Sequence, residues 1–376
     1  SRDSPILLMK PVYLYGLPSP ADDDAVGSAV RRVILEATDN LSWLAAGDTV
    51  LLKPALNSSD PWPSTTHPAA VRAAAALLVE RGARVEIGDQ SGIEHVLHHP
   101  GGVIRGSTTA NAIRSGMVAQ GGPRVTGFED SGWDEGFFRY RSDRTLSWKD
   151  GFFLTTRVRE ADHIISLPRV STHSMAGATL GFKNLVGLLR QDSRMEFHAN
   201  GPMNSSVLRN ARGSSLVQHD DGSGKFLEKI VEISDAVRHK LRLTLFVATA
   251  IQASFGPDRY GIRIGPSGLG RAFVVCPPCG LVFGSADPVA AESLALAVLR
   301  DARRSLPVTA RILERIGLAR NPLYWRVHAV PVPENPALRH ARAIGLGDTG
   351  AARAVDGTVP EAYLHQLAVL IAGGAD

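Results

Sequence analysis

The stretch of this chain richest in reactive side chains is Leu167-Pro-Arg-Val-Ser-Thr-His-Ser-Met-Ala-Gly-Ala-Thr-Leu-Gly-Phe-Lys-Asn-Leu-Val-Gly187. A histidine, His173, and a lysine, Lys183, stand in it ten residues apart. Histidine is the side chain most easily poised as an acid or base near neutral pH. Lys183 is framed by Phe182, Leu185 and Val186. Burial in such a frame lowers an ammonium's pKa and makes the group a nucleophile or a clamp for an anion. Asn184 adds a hydrogen-bond donor beside it, suited to a developing oxyanion. The catalytic candidates are therefore His173, Lys183 and Asn184.

Two earlier segments have the same form, an apolar run that stops at polar residues. One is Lys53-Pro54 with Asn57 close behind, and the other is Asp89-Gln90-Ser91-Gly92. In a parallel sheet the C-terminal strand ends share one edge, and ligands bind there. Lys53, Asn57, Arg169 and Thr172 are the expected substrate-binding residues, with the cations meeting an anionic group. Asp89, His67 and His198 are the candidate ligands of a divalent metal, and Asp192 and Glu196 could complete an imidazole–carboxylate shell. His95, His98 and His99 stand nearby, but no H-E-x-x-H spacing occurs, so ligands would have to come from separate loops.

The elements that must position these groups alternate. Strand-like runs are expected at Pro11–Gly16, Thr49–Lys53, Arg84–Gly88, Ala161–Leu167, Leu241–Ala248 and, broken by Pro277-Pro278, Phe273–Phe283. Amphipathic helices are expected at Asp24–Ala37, from Pro68 to Gly82, and at Ile104–Val118, Lys225–Lys240, Asp287–Arg304 and Pro360–Ala372. Asp130–Trp148 has no period and reads as an excursion or hairpin. The alternation predicts an α/β fold, a mostly parallel sheet with helices on both faces. The expected organisation is two lobes with a cleft between them, residues 1–270 carrying the motifs and 271–376 forming a C-terminal α/β lobe.

Composition narrows the partners. The net charge of +4 is spread over 41 scattered basic residues, without the like-charge runs of a nucleic-acid-binding groove. No apolar stretch is long enough for a membrane span, and no basic leader precedes an apolar run. Cytoplasmic localisation, a small anionic partner and a homodimer are the expectations. The two cysteines, Cys276 and Cys279, have redox-motif spacing but lie in a strand-like run rather than at a helix start, so they read as structural. Two thiols are too few to hold a cubane, and no iron–sulfur cluster is expected. The glycines of Gly265–Gly270 could form an anion nest, but the run is neither a dinucleotide fingerprint nor a Walker loop.

The motifs resemble those of the DUF362 family. Pro168, Thr172, His173, Thr179, Lys183, Asn184 and Gly187 match its hallmark; Lys53-Pro54 with Thr65-Thr66-His67-Pro68 matches its first loop. Gly88-Asp89 and Asp287-Pro288-Val289-Ala290 match two more motifs. The chain departs at Ala55, where the family has asparagine, at Ser171, where it has a second basic residue, and at Ala248-Thr249, where an acid is usual. A more distant similarity is to the lactate racemase family, which uses a nickel-pincer nucleotide. There a histidine does proton or hydride chemistry and a lysine ten residues on anchors the cofactor, the spacing of His173 and Lys183.

These readings converge on an enzyme acting on a small carboxylated metabolite by acid/base chemistry, of isomerase, epimerase or lyase type. His173 would be the acid/base, Lys183 and Asn184 would stabilise the oxyanion, and Lys53 and Arg169 would bind the carboxylate. The alternative is a non-catalytic accessory protein that binds an anionic cofactor or passes electrons, as the resemblance to cluster-bearing relatives implies.

Overall fold

The computed structural model describes residues 10–201, 223–259 and 272–374; Gly265–Gly270 lies outside them. The chain opens with β1 (Val12–Leu17), α1 (Asp23–Ala37), β2 (Thr49–Pro54), α2 (Pro68–Glu80) and β3 (Arg84–Asp89). A small hairpin, β4 (Leu97–His99) and β5 (Gly102–Arg105), precedes α3 (Thr108–Arg114) and β6 (Val125–Gly127). A second hairpin, β7 (Phe137–Tyr140) with β8 (Phe152–Thr155), leads through α4 (Arg157–Glu160) to β9 (His163–Leu167). Then come β10 (Arg169–His173), β11 (Gly177–Thr179), α5 (Gly181–Asn184), α6 (Gln191–Ala199), α7 (Phe226–Val237) and β12 (Leu241–Gln252). The rest comprises β13 (Val274–Val275), β14 (Gly280–Ser285), α8 (Pro288–Arg304), α9 (Val308–Gly317), α10 (Pro322–Ala329), α11 (Pro336–Ala343), β15 (Ala352–Ala354) and α12 (Glu361–Ile371).

The main sheet runs β15-β1-β14-β12-β9-β2-β3-β6. From β12 to β6 every neighbouring pair is parallel, while β14 is antiparallel to both β12 and β1. The expected α/β fold with a mostly parallel sheet is the one formed. Alternation along the strands divides the core. Val50, Leu52, Ile165 and Leu167 face α1 and α2, whereas Leu51, Ile164, Phe246 and Phe283 face the other way, toward α5, α7 and α8. Lys53, two residues after Leu51, belongs to this second face. The sheet also crosses the expected lobe boundary at 270/271, because β14 and β15 lie in the same sheet as the earlier strands.

Local signals explain the helix starts. Asp22 accepts from Ala25 N at 2.7 Å, and Asp287 accepts from Val289 N at 2.8 Å with Pro288 in the first turn. The helix expected over Ile104–Val118 begins later. Ile104 and Arg105 pair in β5, Gly106 turns at φ +83°, and Ser107 caps α3 by accepting from Ala110 N at 3.2 Å. The aperiodic Asp130–Trp148 segment supplies β7, which is half of the second hairpin. Pro168 ends β9, yet the chain continues as β10 along the same partner: β9 pairs with the first half of β12 and β10 with the second. That continuation carries His173 beyond the sheet edge.

Candidate functional site

At the C-terminal edge of the parallel strands lies a cavity of about 160 Å³, walled by the ends of β3 and β10, by α5 and α6, and by the Gly256–Asp258 turn. Its polar lining includes Asn57, Asp89, Gln90, His95, Arg169, His173, Thr179, Lys183, Asn184, Arg194, His198 and Asp258.

Beneath it, Lys53 Nζ and Asp89 Oδ1 form a buried ion pair at 2.7 Å. Lys53 Nζ also donates to Pro54 O at 2.7 Å, and Asp89 accepts from Leu56 N at 2.9 Å and from Gln90 N at 2.8 Å. Asn184 ties this pair to α5, donating to Lys53 O at 3.0 Å and to Ser166 Oγ at 2.9 Å. Burial lowers the Lys53 pKa against the pull of Asp89. Gly187 closes the arrangement: a Cβ there would fall on Asp89 Oδ1 and against Lys53 Nζ. Lys53, expected to bind a carboxylate, thus pairs with the carboxylate of Asp89 inside the fold, beneath the cavity rather than in its lining.

Lys183 stands differently. Its ammonium lies 5.1 Å from the centre of the Phe197 ring, and no carboxylate of the described residues pairs with it. Burial, with Arg194 and Arg169 adding like charge, brings its pKa down to about 7. The segment carrying it is held by Glu292, which accepts from Phe182 N at 3.2 Å. Burial raises that carboxyl to about 8, so Glu292 is largely protonated at neutral pH.

Two of the cavity's imidazoles, His173 and His198, are fixed in opposite tautomers. His173 Nδ1 accepts from Met175 N at 3.1 Å and Ala176 N at 3.3 Å, so its proton sits on Nε2. His198 Nδ1 lies 2.7 Å from Arg194 O, a group that can only accept, so its proton sits on Nδ1 and Nε2 carries the lone pair. Burial holds both pKa values well below the ordinary range, and the charge of Lys183 lowers each further. The acid/base candidate His173 thus turns its protonated Nε2 outward from its own loop. His173 offers an N–H, and the free lone pair belongs to His198.

The β10–β11 turn that sets His173 is pinned on several sides. Ser174 donates to Gly256 O through both N (3.0 Å) and Oγ (2.7 Å), and Asn321 donates to Ser174 O. Gly177 has φ +82°, and a Cβ there would strike Val327.

The two arginines bring charge more than directed donors. Arg169 donates to Pro257 O at 2.6 Å and to Pro63 O at 3.4 Å; Arg194 donates to the carbonyls of Leu189, Ser91 and Gln90. Burial lowers each guanidinium to about 10. Unspent polar capacity lies elsewhere. Gln90 and Thr179 are buried in the lining, and neither the Gln90 amide atoms nor Thr179 Oγ1 has a partner. At another wall Asp258 accepts from Asn57 Nδ2 at 2.5 Å and lies 2.6 Å from His95 Nε2. Burial acts against charge on both groups, but their mutual bond prevails, raising the His95 pKa and lowering that of Asp258.

Of the residues expected from sequence, Asn57, Asp89, Arg169, His173, Lys183, Asn184 and His198 line this cavity, and Lys53, His67 and Thr172 do not. Thr172 spends its hydroxyl on Gln252 O at 3.2 Å. His67 caps α2, accepting from Ala69 N at 3.2 Å. With Asp89 bound to Lys53, the set Asp89, His67 and His198 does not gather, and no group of three potential metal ligands forms among the described residues. Asp192 and Glu196 instead pair with Arg190 and Lys229. Arg194 and Asp258 escaped the sequence reading, and Gln90 entered it only as part of the polar strand end Asp89-Gln90-Ser91-Gly92. Arg194 and Asp258 lie outside the matched motifs, though Gln90 directly follows Asp89 at the end of β3.

A model described as "Domain of unknown function (DUF362)" matches residues 50–297. The chain belongs to the DUF362 family. Every cavity residue named above lies within that span. No curated protein matches the chain. A crystal structure of a Thermotoga maritima protein is similar at 13% identity and a TM-score of 0.38, covering 62% of this chain and 52% of that one. The alignment therefore spans about half the length of that protein. The similarity to the lactate racemase family expected from His173 and Lys183 is not shown by these comparisons. No helix among the described residues is long and apolar enough to cross a membrane.

Proposed function

We propose that this DUF362 protein is an enzyme that takes a small carboxylated metabolite and moves a proton at a carbon next to a carbonyl, as isomerases, epimerases and lyases do. The observation that carries the reading is Lys183, an ammonium with no carboxylate partner among the described residues, facing a cavity with two guanidinium groups. Burying such a charge is costly unless an anion meets it, and a ligand is the anion this site lacks. The volume sets the size: an apolar cavity of about 150 Å³ holds benzene, so this one suits about six to ten non-hydrogen atoms.

Within the cavity the groups divide the labour. Lys183 holds the anion, and Gln90 and Thr179 have donors to spare for its oxygens. His173 Nε2–H donates to the carbonyl oxygen as charge develops there, and His198 Nε2 accepts the proton. Asn184 acts through Lys53 and α5, as a positioning residue. A cytoplasmic setting and a homodimer belong to this proposal on the sequence grounds given above.

Calorimetric titration with a panel of two- to six-carbon carboxylates, followed by proton exchange in heavy water, tests the reading. Binding is expected for wild type and lost in Lys183→Met, with deuterium entering only beside the carbonyl. A folded wild-type protein that binds none of the panel would overturn it. Tight binding without exchange would favour the accessory, cofactor-binding alternative.

A further inference from the structure

We infer that Lys183 is a covalent catalyst: its amine condenses with the carbonyl carbon of a small 2-oxo acid, with His198 carrying the proton. The inference rests on the cavity's being a site for a small carboxylate and adds the class of substrate and the bond that forms.

Three features of the site point to an amine nucleophile rather than a permanent cation. Lys183 Nζ makes no hydrogen bond or ion pair with any described residue, and it opens on the cavity against the Phe197 ring. Arg169 and Arg194 line the same cavity, so like charge surrounds the ammonium and disfavours it. A desolvated lysine beside other cations is the arrangement that frees an amine near neutral pH. The acceptor for its proton is at hand. Phe197 and His198 are successive residues of α6 whose ring centroids lie 4.1 Å apart, and the Arg194 carbonyl leaves the His198 lone pair on Nε2.

The step balances without any further reactant. His198 Nε2 takes one proton from the Lys183 ammonium. The freed amine pair forms the C–N bond as the carbonyl π pair moves onto oxygen. A second proton passes from nitrogen to that oxygen, giving the neutral carbinolamine. The proton held by His198 then goes to the hydroxyl, the C–O bond breaks, and water leaves. Ammonium and ketone have become iminium and water, and His198 is neutral again. Arg169 and Arg194 give the substrate carboxylate a positive field, Gln90 and Thr179 supply donors toward it, and the His173 Nε2–H donates to the carbonyl oxygen. An iminium at this carbon acidifies its neighbour, and that is the proton transfer proposed above.

The test uses the full chain with pyruvate, 2-oxobutyrate and 2-oxoglutarate as probes, each incubated with sodium cyanoborohydride and examined by intact mass and peptide mapping. One reduced adduct per chain on Lys183 is expected, with Lys183→Arg, which keeps the charge, showing none. His198→Gln should slow trapping at least tenfold while leaving probe affinity within about threefold. Independently of any probe acid, cyanate should carbamylate Lys183 faster than other lysines at pH 7. Probe binding by calorimetry without a Lys183 adduct overturns the iminium and leaves the carboxylate-binding reading standing. Absence of binding by any probe overturns the reading and the iminium together.

Discussion

Two lysines of the DUF362 motifs, Lys53 and Lys183, sit at the same sheet edge and have opposite fates. Lys53 is sealed with Asp89 under Gly187, its proton donors spent on a carboxylate and a carbonyl. Lys183 has neither, and opens on the cavity. The charge of Lys53 is met within the fold, whereas that of Lys183 meets no carboxylate among the described residues. Motif matching alone ranks the two lysines together, and counterion geometry separates them.

The largest effect should come from breaking the sealed pair. Lys53→Met leaves Asp89 charged and buried, and should destabilise the protein by ~3–5 kcal/mol in denaturant titration. A change below about 1 kcal/mol would mean that Asp89 finds another partner and that the two lysines differ less than their geometry says.

Glu292 sharpens the contrast from the acid side, since it supports the Lys183 segment without a cationic partner among the described residues. Its folded pKa of about 8 stands above the ordinary glutamate value of 4.5. Below pH 4.5 both folded and unfolded states hold the proton. Between pH 4.5 and 8 the unfolded state loses it first, so stability falls as pH rises, by a few kcal/mol in all. Glu292→Gln should flatten that decline and melt higher than wild type at pH 8. An unchanged slope between pH 5 and 8 would show that this carboxyl titrates normally.

Gly187→Ala pushes a methyl group into the Lys53–Asp89 pair and should cost about 1–3 kcal/mol. The smallest effect on stability belongs to Lys183→Met. Its folded pKa of about 7 lies below the ordinary lysine value of 10.5, so the native state gives up a proton that the unfolded state keeps between pH 7 and 10.5. Wild-type stability should therefore gain from rising pH across that window, and Lys183→Met should remove the gain while melting at least as high at pH 7. A variant that melts far lower would place Lys183 with Lys53 in the scaffold.

Much of this was legible in the residues, and the remainder was not for physical reasons. Strand ends at Lys53, Asp89 and Leu167 follow from apolar runs stopped by proline or polar residues, and parallel topology sends them to one edge. Helix starts at Pro68 and Asp287 follow from caps and proline. What periodicity cannot carry is pairing between distant loops. Asp89 read as a candidate metal ligand, and only the approach of β2 to β3 sets it against Lys53. His173 read as a base because residue type says nothing of tautomer, which two backbone N–H groups determine. Asp258 meets Asn57 across 201 residues of chain and His95 across 163, contacts with no local signature.

The position of β14 between β1 and β12 has a consequence for how the protein is made. On a ribosome β1 emerges among the first elements, yet both its sheet neighbours, β14 and β15, are translated far later. Until Gly280–Ser285 leaves the exit tunnel, β1 has no strand to join, and β12 keeps an open edge where β14 will lie. Nascent chains stalled before Gly280 should therefore stay protease-sensitive at Val12–Leu17 and bind holdase chaperones there, and the onset of protection should coincide with the synthesis of β14 rather than with the completion of the motif-bearing segment.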